Sequence, residues 1–317
     1  MSKETKRLAF GPVPSRRLGK SLGINNIPPK ICSYSCIYCQ LGKTDNLQIN
    51  RQKFYGTDEI FDEVEKKIRQ ANEKNEKIDY LTFVSDGEPT LDINIGKEIK
   101  KLKKLKHKIA VITNASLLWD KKVQDDLLKA DCVSIKIDAI DKKIWRRINR
   151  PHKLLKIEKI LSGIIDFSEK FQGDLLTETM VIKNVNNDVN QFEKTAYFIK
   201  DLKPKKSYIS IPIRPPAEKN IKIPVELDMI IFYNVFKERN INVELLTGYE
   251  ENSFAFTGNV EEDLLSITSV HPMREESVDD FLFKAKSDWS VVKKLIDDKK
   301  LVEKIYKKNK FYMRKLK

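Results

Sequence analysis

No run of about 18 apolar residues occurs in these 317 residues, so no membrane-spanning helix is expected. The N-terminal MSKETKRLAFGPVP has no apolar h-region and no cleavage-like site, and the expected location is the cytoplasm. Internal repeats and low-complexity tracts are absent. Histidine is scarce, with three residues, and neither His107 nor His271 has a neighbour at ligand or catalytic spacing. Cysteine is scarce as well. Four cysteines in a cytoplasmic chain of this length do not make a disulfide scaffold. Three of them nevertheless fall within eight residues. Disulfides do not need that crowding; a metal centre does.

Charge is plentiful. Charged residues make up 33% and apolar residues 40% of the chain, ordinary usage for a packed globular protein. The length suits one large domain and one small one. A net charge of +14 admits a polyanionic partner. However, 48 of the 60 basic residues are Lys, whereas nucleic-acid sites favour Arg for bidentate contacts. With Ile and Asn also abundant, the excess reads as a compositional bias at least as readily as a binding surface.

From Tyr80 to about Leu246, short β-branched runs alternate with longer amphipathic ones. Strands are expected at Tyr80–Val84, Ile109–Thr113, Cys132–Ile137, Leu175–Ile182, Ser207–Ile211 and Asn242–Leu246, with an earlier one around Ser21–Ile27. Ile60, Phe61, Val64, Ile68 and Ala71 recur at helical spacing, and Lys156–Phe171, Gln191–Leu202 and Glu226–Arg239 behave alike. Such alternation predicts an α/β fold with a parallel sheet and helices outside it. Six or seven units curl into a partial barrel, although an open doubly wound sheet has the same pattern.

Near Gly248 the pattern changes. Residues 250–283 carry nine acids against one Arg, and residues 284–317 carry thirteen Lys or Arg against four acids. Apolar residues recur as Leu264, Leu265 and Ile267, then Val291, Val292, Leu295 and Ile296, then Leu301, Val302, Ile305 and Tyr306. Three short helices followed by a hairpin in KKNKFYMRKL make a winged-helix-like domain; a helical cap on the barrel is the alternative. The expected division is 1–248 for the barrel and 249–317 for the small C-terminal domain.

The crowded cysteines read ICSYSCIYCQLG, a C-x3-C-x2-C loop of Cys32, Cys36 and Cys39. Three thiolates on one short loop can hold three corners of a [4Fe-4S] cluster and leave the fourth iron open to a small molecule. Zinc with a distant fourth ligand is the competing reading, but zinc sites pair two C-x2-C units or add spaced His, and Cys132, His107 and His152 show no such spacing. Cys132 opens a strand and reads as packing.

The C-x3-C-x-aromatic-C loop, with Tyr38 before the last cysteine, resembles the signature of the radical S-adenosylmethionine (SAM) superfamily. That resemblance implies a partial (β/α)6 barrel and one [4Fe-4S] cluster whose open iron is chelated by SAM. It further implies reductive cleavage of SAM to a 5′-deoxyadenosyl radical, with electrons from a donor such as flavodoxin or ferredoxin. Tyr38 is placed near the adenine. SDGEPTL at Ser85–Leu91 follows an expected strand and resembles the family's Gly-Gly-Glu-Pro segment through Gly87, Glu88 and Pro89. Asp86 stands where Gly is common, so the local turn differs. On the same basis Asn114, Ser134, Lys136 and Asp138 are SAM contacts. Period two puts the last three on one strand face, where buried polar side chains need partners or a ligand; pairing of Lys136 with Asp138 is the plainer alternative.

FGPVPSRRLGKSLGINNIPPKICSYSCIYCQLGKT, LLWD, INRPH and IPIRPPAE resemble uncharacterised radical SAM proteins related to the wyosine-tRNA synthase group, over roughly residues 8–250. In these elements Arg16, Arg17, Arg150, His152 and Arg214 form an anion rim if they converge; otherwise they are solvated or brace loops. No second cysteine cluster occurs, which weighs against sulfur insertion. The expected substrate is an RNA, a tRNA base above all. Radical modification of a protein or peptide is one alternative, and a non-catalytic Fe–S protein binding nucleic acid is another.

Overall fold

The computed structural model describes residues 8–15, 17–246, 258–270, 273–306 and 309–314. The chain begins with β1 (Ala9–Ser15), β2 (Gly19–Ile24) and two short strands, β3 (Ile31–Cys32) and β4 (Asn46–Leu47). Then follow α1 (Thr57–Glu73), β5 (Tyr80–Phe83), α2 (Ile95–Leu102), β6 (Lys108–Thr113), α3 (Lys121–Leu127) and β7 (Cys132–Lys136). After α4 (Lys142–Asn149) and α5 (Ile157–Lys170) come β8 (Asp174–Met180), α6 (Val189–Asp201), β9 (Lys206–Ser210), α7 (Glu226–Lys237) and β10 (Val243–Leu246).

Eight of these strands form one sheet in the order β1-β2-β5-β6-β7-β8-β9-β10. From β2 onward every neighbouring pair is parallel, whereas β1 runs antiparallel to β2. Six helical crossovers therefore link seven parallel strands, and the sheet curls into a partial barrel. The open doubly wound alternative fails on strand order, because each new strand joins the same edge.

The apolar stripes explain the layers. Ile60, Val64, Ile68 and Ala71 of α1, with Ile95, Ile99 and Leu102 of α2, are buried against Leu22, Leu81, Ile109 and Val133 on the outer face of the sheet. Asp120, Asp141 and Asp188 cap α3, α4 and α6 by accepting from backbone N–H groups of the first turns. Inside the barrel, Leu18, Ala110, Cys132, Leu176 and Tyr208 form a small apolar plug toward the strands' N-terminal ends. Cys132 is packing, as its sequence context suggests.

Two parts of the chain depart from expectation. Strand β1 is not among the expected strands; it carries Pro12 and Pro14, which an edge strand tolerates, since proline lacks the N–H that an inner strand must donate. The C-terminal segment contains α8 (Val260–Val270), β11 (Met273–Arg274), α9 (Glu275–Lys284), α10 (Trp289–Asp297), β12 (Leu301–Tyr306) and β13 (Asn309–Arg314). Leu301–Tyr306, expected as the third helix, is a strand paired antiparallel with β13, and α9 takes the missing helix's place. The three strands are ordered β11-β13-β12. The expected boundary at Gly248 lies outside the described residues.

Candidate active site

The cysteine loop leaves β3 and folds back onto the end of α4. Ser35 N donates to Asn149 O, Ile37 N to Ile148 O and His152 N to Ser33 O, so the loop is tied to the INRPH segment over its length. Cys39 N donates to Cys36 O in a tight turn, and Gly42, at φ +85°, donates from its N to Cys39 O. All three cysteines open on one cavity of about 320 Å3. Their sulfurs accept hydrogen bonds: Cys32 Sγ from Tyr34 N and from Asn114 Nδ2 at 3.5 Å each, and Cys36 Sγ from Asn149 Nδ2 at 3.4 Å. Burial pushes all three thiols up, Cys36 to about 12, and the neighbouring carboxylates add to it. They become thiolates only by exchanging protons for metal.

Three thiols and a backbone turn face one another across this cavity, a donor set whose chemistry suits an iron–sulfur cluster. Among the described residues no three His, Cys, Asp or Glu side chains gather closely enough for a single metal ion. The opposite wall is a backbone cradle. A Cβ on Gly87 would lie 1.9 Å from Ile31 O, so only glycine lets the Ser85–Gly87 turn sit against the strand leading to Cys32. Ser134 Oγ is buried and has no hydrogen-bond partner among the described residues, and it does not line the cavity.

The residues singled out from sequence divide into cavity wall and support. Tyr38, Gly87 and Lys136 line the cavity. Glu88 does not. It is buried, and its carboxylate accepts from Thr90 N, Thr90 Oγ1, Thr113 Oγ1 and Asn114 N. Glu88 thus clamps the end of β6 to the turn after β5, and burial raises its pKa against those four donors. Pro89 starts a single 3-10 turn behind the cradle. Asn114 stands behind Cys32, bonded also to Ser33 Oγ. Asp138 accepts from the Tyr38 hydroxyl, from Asn149 Nδ2 at 2.7 Å and from Met180 N at 2.9 Å, which holds the Tyr38 ring at the cavity wall.

Lys136 and Asp138 are therefore not a pair. Lys136 Nζ lies 3.1 Å from Glu178 Oε1, which also accepts from Ser210 Oγ, while Arg17 bridges to Glu178 Oε2. The Lys136 ammonium sits 4.8 Å over the Tyr38 ring. Burial lowers its pKa, and the Asp138 carboxylate opposes that shift. Of the anticipated rim, Arg17 and Arg214 line the cavity, Arg214 donating to Gln40 Oε1. Arg150 instead pairs with Glu218, and His152 accepts from Leu154 N through Nδ1; neither lines the cavity. Arg16 lies outside the described residues. Glu178 and Asn149 escaped the sequence reading. Glu178 was detectable as the lone acid at an inward position of the LLTETM strand, but Asn149, at a helix end, had no such signal.

The model of the Radical SAM superfamily matches residues 26–196. A UPF0026 protein of Methanocaldococcus jannaschii is 50% identical over 313 residues, covering 98% of this chain and 97% of that protein. A probable dual-specificity RNA methyltransferase RlmN of Thermotoga sp. (strain RQ2) is 22% identical over 232 residues, 68% of this chain and 61% of that protein. A radical SAM methyltransferase from Sphaerobacter thermophilus superposes with a TM-score of 0.57 at 14% identity, over 72% of this chain and 66% of that one. At that identity the likeness concerns the fold alone.

Proposed function

This chain belongs to the radical SAM superfamily and to its UPF0026 members, and on that premise we propose that it is an enzyme that cleaves SAM reductively at Cys32, Cys36 and Cys39 to modify an RNA base. The observation that carries the reading is the common cavity: three thiols, the Gly87 cradle and a basic lining meet in one space. A [4Fe-4S] cluster held there by Cys32, Cys36 and Cys39 would supply the low-potential one-electron chemistry that reductive cleavage of SAM requires. The residues of this chain bind and orient. Cys32, Cys36 and Cys39 would hold the cluster, and the Ser85–Gly87 backbone would offer its polar groups to SAM in the same cavity. Tyr38, fixed by Asp138, presents a ring face to a heterocycle. Arg17, Lys136 and Glu178 close the cavity with a net positive triad.

Support for RNA comes from charge and kinship. Arg17, Lys30, Lys43, Lys136 and Arg214 line the cavity against two acids, Asp86 and Glu178. That balance suits a phosphorylated substrate. The Thermotoga relative is named for its action on RNA. A low-potential donor such as flavodoxin or ferredoxin provides the electron.

Anaerobic reconstitution with iron, sulfide, dithionite and SAM tests the first half: 5′-deoxyadenosine forms with the wild type and is lost with Cys36→Ala. A full yield from that variant refutes the ligand assignment. Mass spectrometry of RNA and protein from cells with and without the chain tests the second half. A mass change confined to a polypeptide replaces the RNA reading with a peptide one.

A further inference from the structure

The helix–strand–helix–helix–strand–strand order of Val260–Arg314, with its β11-β13-β12 sheet, is the arrangement of a winged helix. In it α9 and α10 form the helix-turn-helix and β12–β13 the wing. We propose that this unit is the docking surface for the phosphate backbone of a folded RNA, presented beside the thiol-lined cavity. The proposal rests on the RNA reading above and adds where the RNA is held and by which groups.

The first support is position. Leu264, Leu265, Ile267, Phe281 and Val292 form one core with Phe10 and Val13 of β1, and Val84 packs against the same core. Phe10 lies across β2 because Gly23 has no side chain; a Cβ there would meet the ring at 2.0 Å. The next residues after Val84, Ser85 to Gly87, line the cavity. The unit is therefore seated where β5 ends, next to the cavity wall. A buried ion pair between Lys67 of α1 and Asp263 of α8, 3.6 Å apart, fastens it from the outer side.

Polarity is the second support. Four acids of the unit are engaged: Asp263 is buried on Lys67, and at the surface Glu261 pairs with Lys294, Glu275 with Lys310, and Asp279 accepts from the Trp289 indole. Over Val260–Arg314 twelve Lys or Arg stand against eleven acids, and the cations are concentrated in the C-terminal half. Residues 284–317 carry thirteen Lys or Arg against four acids. Of these, Lys286, Lys293 and Lys299 are exposed and make no ion pair among the described residues. They lie in the turn before α10, on α10 itself and in the turn before β12. Phe283, at the end of α9, is 85% exposed, more than any other large apolar side chain among the described residues. A protein core has no use for it there, but an unpaired base does, since aromatic faces stack on bases without regard to sequence. The deep, narrow major groove of duplex RNA excludes a helix such as α10. Contact is therefore with phosphates, and the affinity falls steeply with salt.

The test uses the full chain and unfractionated tRNA, with binding followed by fluorescence anisotropy between 50 and 200 mM salt. Lys286→Glu/Lys293→Glu/Lys299→Glu should bind at least about tenfold more weakly and lower the log–log salt slope by about 2–3. It should still release 5′-deoxyadenosine from SAM without RNA, because none of the three residues touches the cavity. Phe283→Ala should weaken binding severalfold with the salt slope unchanged. Wild-type affinity and slope in the triple variant overturn the proposal and leave the RNA reading standing. A wild-type chain that binds no tRNA but retains a polypeptide independently of salt overturns both.

Discussion

Replacing Asn149 with leucine should make the cluster harder to reduce. The Asn149 amide donates to Cys36 Sγ at 3.4 Å and to Asp138 Oδ2 at 2.7 Å, inside a pocket where Asn149 is 4% exposed. An N–H pointed at a ligand sulfur favours the more electron-rich state, so its loss moves the potential down. A buried hydrogen bond of this kind contributes about 1 kcal/mol, of which the difference between oxidation states is at most the whole. For one electron, about 1.4 kcal/mol corresponds to 59 mV, so the expected shift is up to roughly 40 mV more negative. Leucine matches asparagine in shape, and Asp138 keeps the Tyr38 hydroxyl and Met180 N as donors, so the loop should retain its seat. The assay is an EPR-monitored potentiometric titration of reconstituted protein, with iron and sulfide contents matched to wild type. A fully loaded Asn149→Leu variant with an unchanged or raised potential refutes the reasoning.

Two further outcomes follow from buried groups near the cradle. Burial, reinforced by the adjacent Asp92 carboxylate, pushes Glu98 up to about 9, and Asp92 itself to about 6. The folded chain thus binds more protons than the unfolded one above the ordinary carboxylate range, and stability falls as pH rises from about 4.5 to 9. Glu98→Gln should flatten this decline, so its melting temperature relative to wild type rises between pH 5 and pH 9; parallel melting curves at the two pH values would count against a protonated Glu98. Gly87→Ala drives a methyl group into Ile31 O. The displaced turn should weaken SAM binding by at least about tenfold in calorimetry of the reconstituted protein and destabilise the chain by about 1–3 kcal/mol. Undiminished SAM affinity in that variant would remove the cradle from the binding site.

The sequence told some of this and hid the rest for physical reasons. Three thiols in one loop declare themselves because few other structures need that crowding. Strands β5 to β10 declare themselves because both faces of a parallel strand are covered and its run is short and β-branched. Strand β1 was hidden by its prolines. Strand β12 was hidden because Leu301, Val302, Ile305 and Tyr306 fit a helical stripe as well as a strand. Glu88 was legible as part of a motif, but its role was not. The motif suggested contact with the ligand, while its four hydrogen bonds make it a clamp between strand ends. Likewise period two placed Lys136 on the inner face, yet its partner Glu178 comes from the next strand and Arg17 from a turn far away in sequence. Long-range pairing of this kind leaves no local trace.

The shared core of β1 and α8 has a consequence for biosynthesis. Phe10 and Val13 leave the ribosome early, and the residues that cover them follow roughly 250 positions later. At about 5–20 residues per second, the apolar face of a nascent edge strand waits roughly 12–50 s for its cover. Throughout that interval β1 is an open template for pairing with a neighbouring nascent chain. Slow or interrupted translation of the second half should therefore lower the soluble yield of this protein, and co-expressed chaperones should restore it.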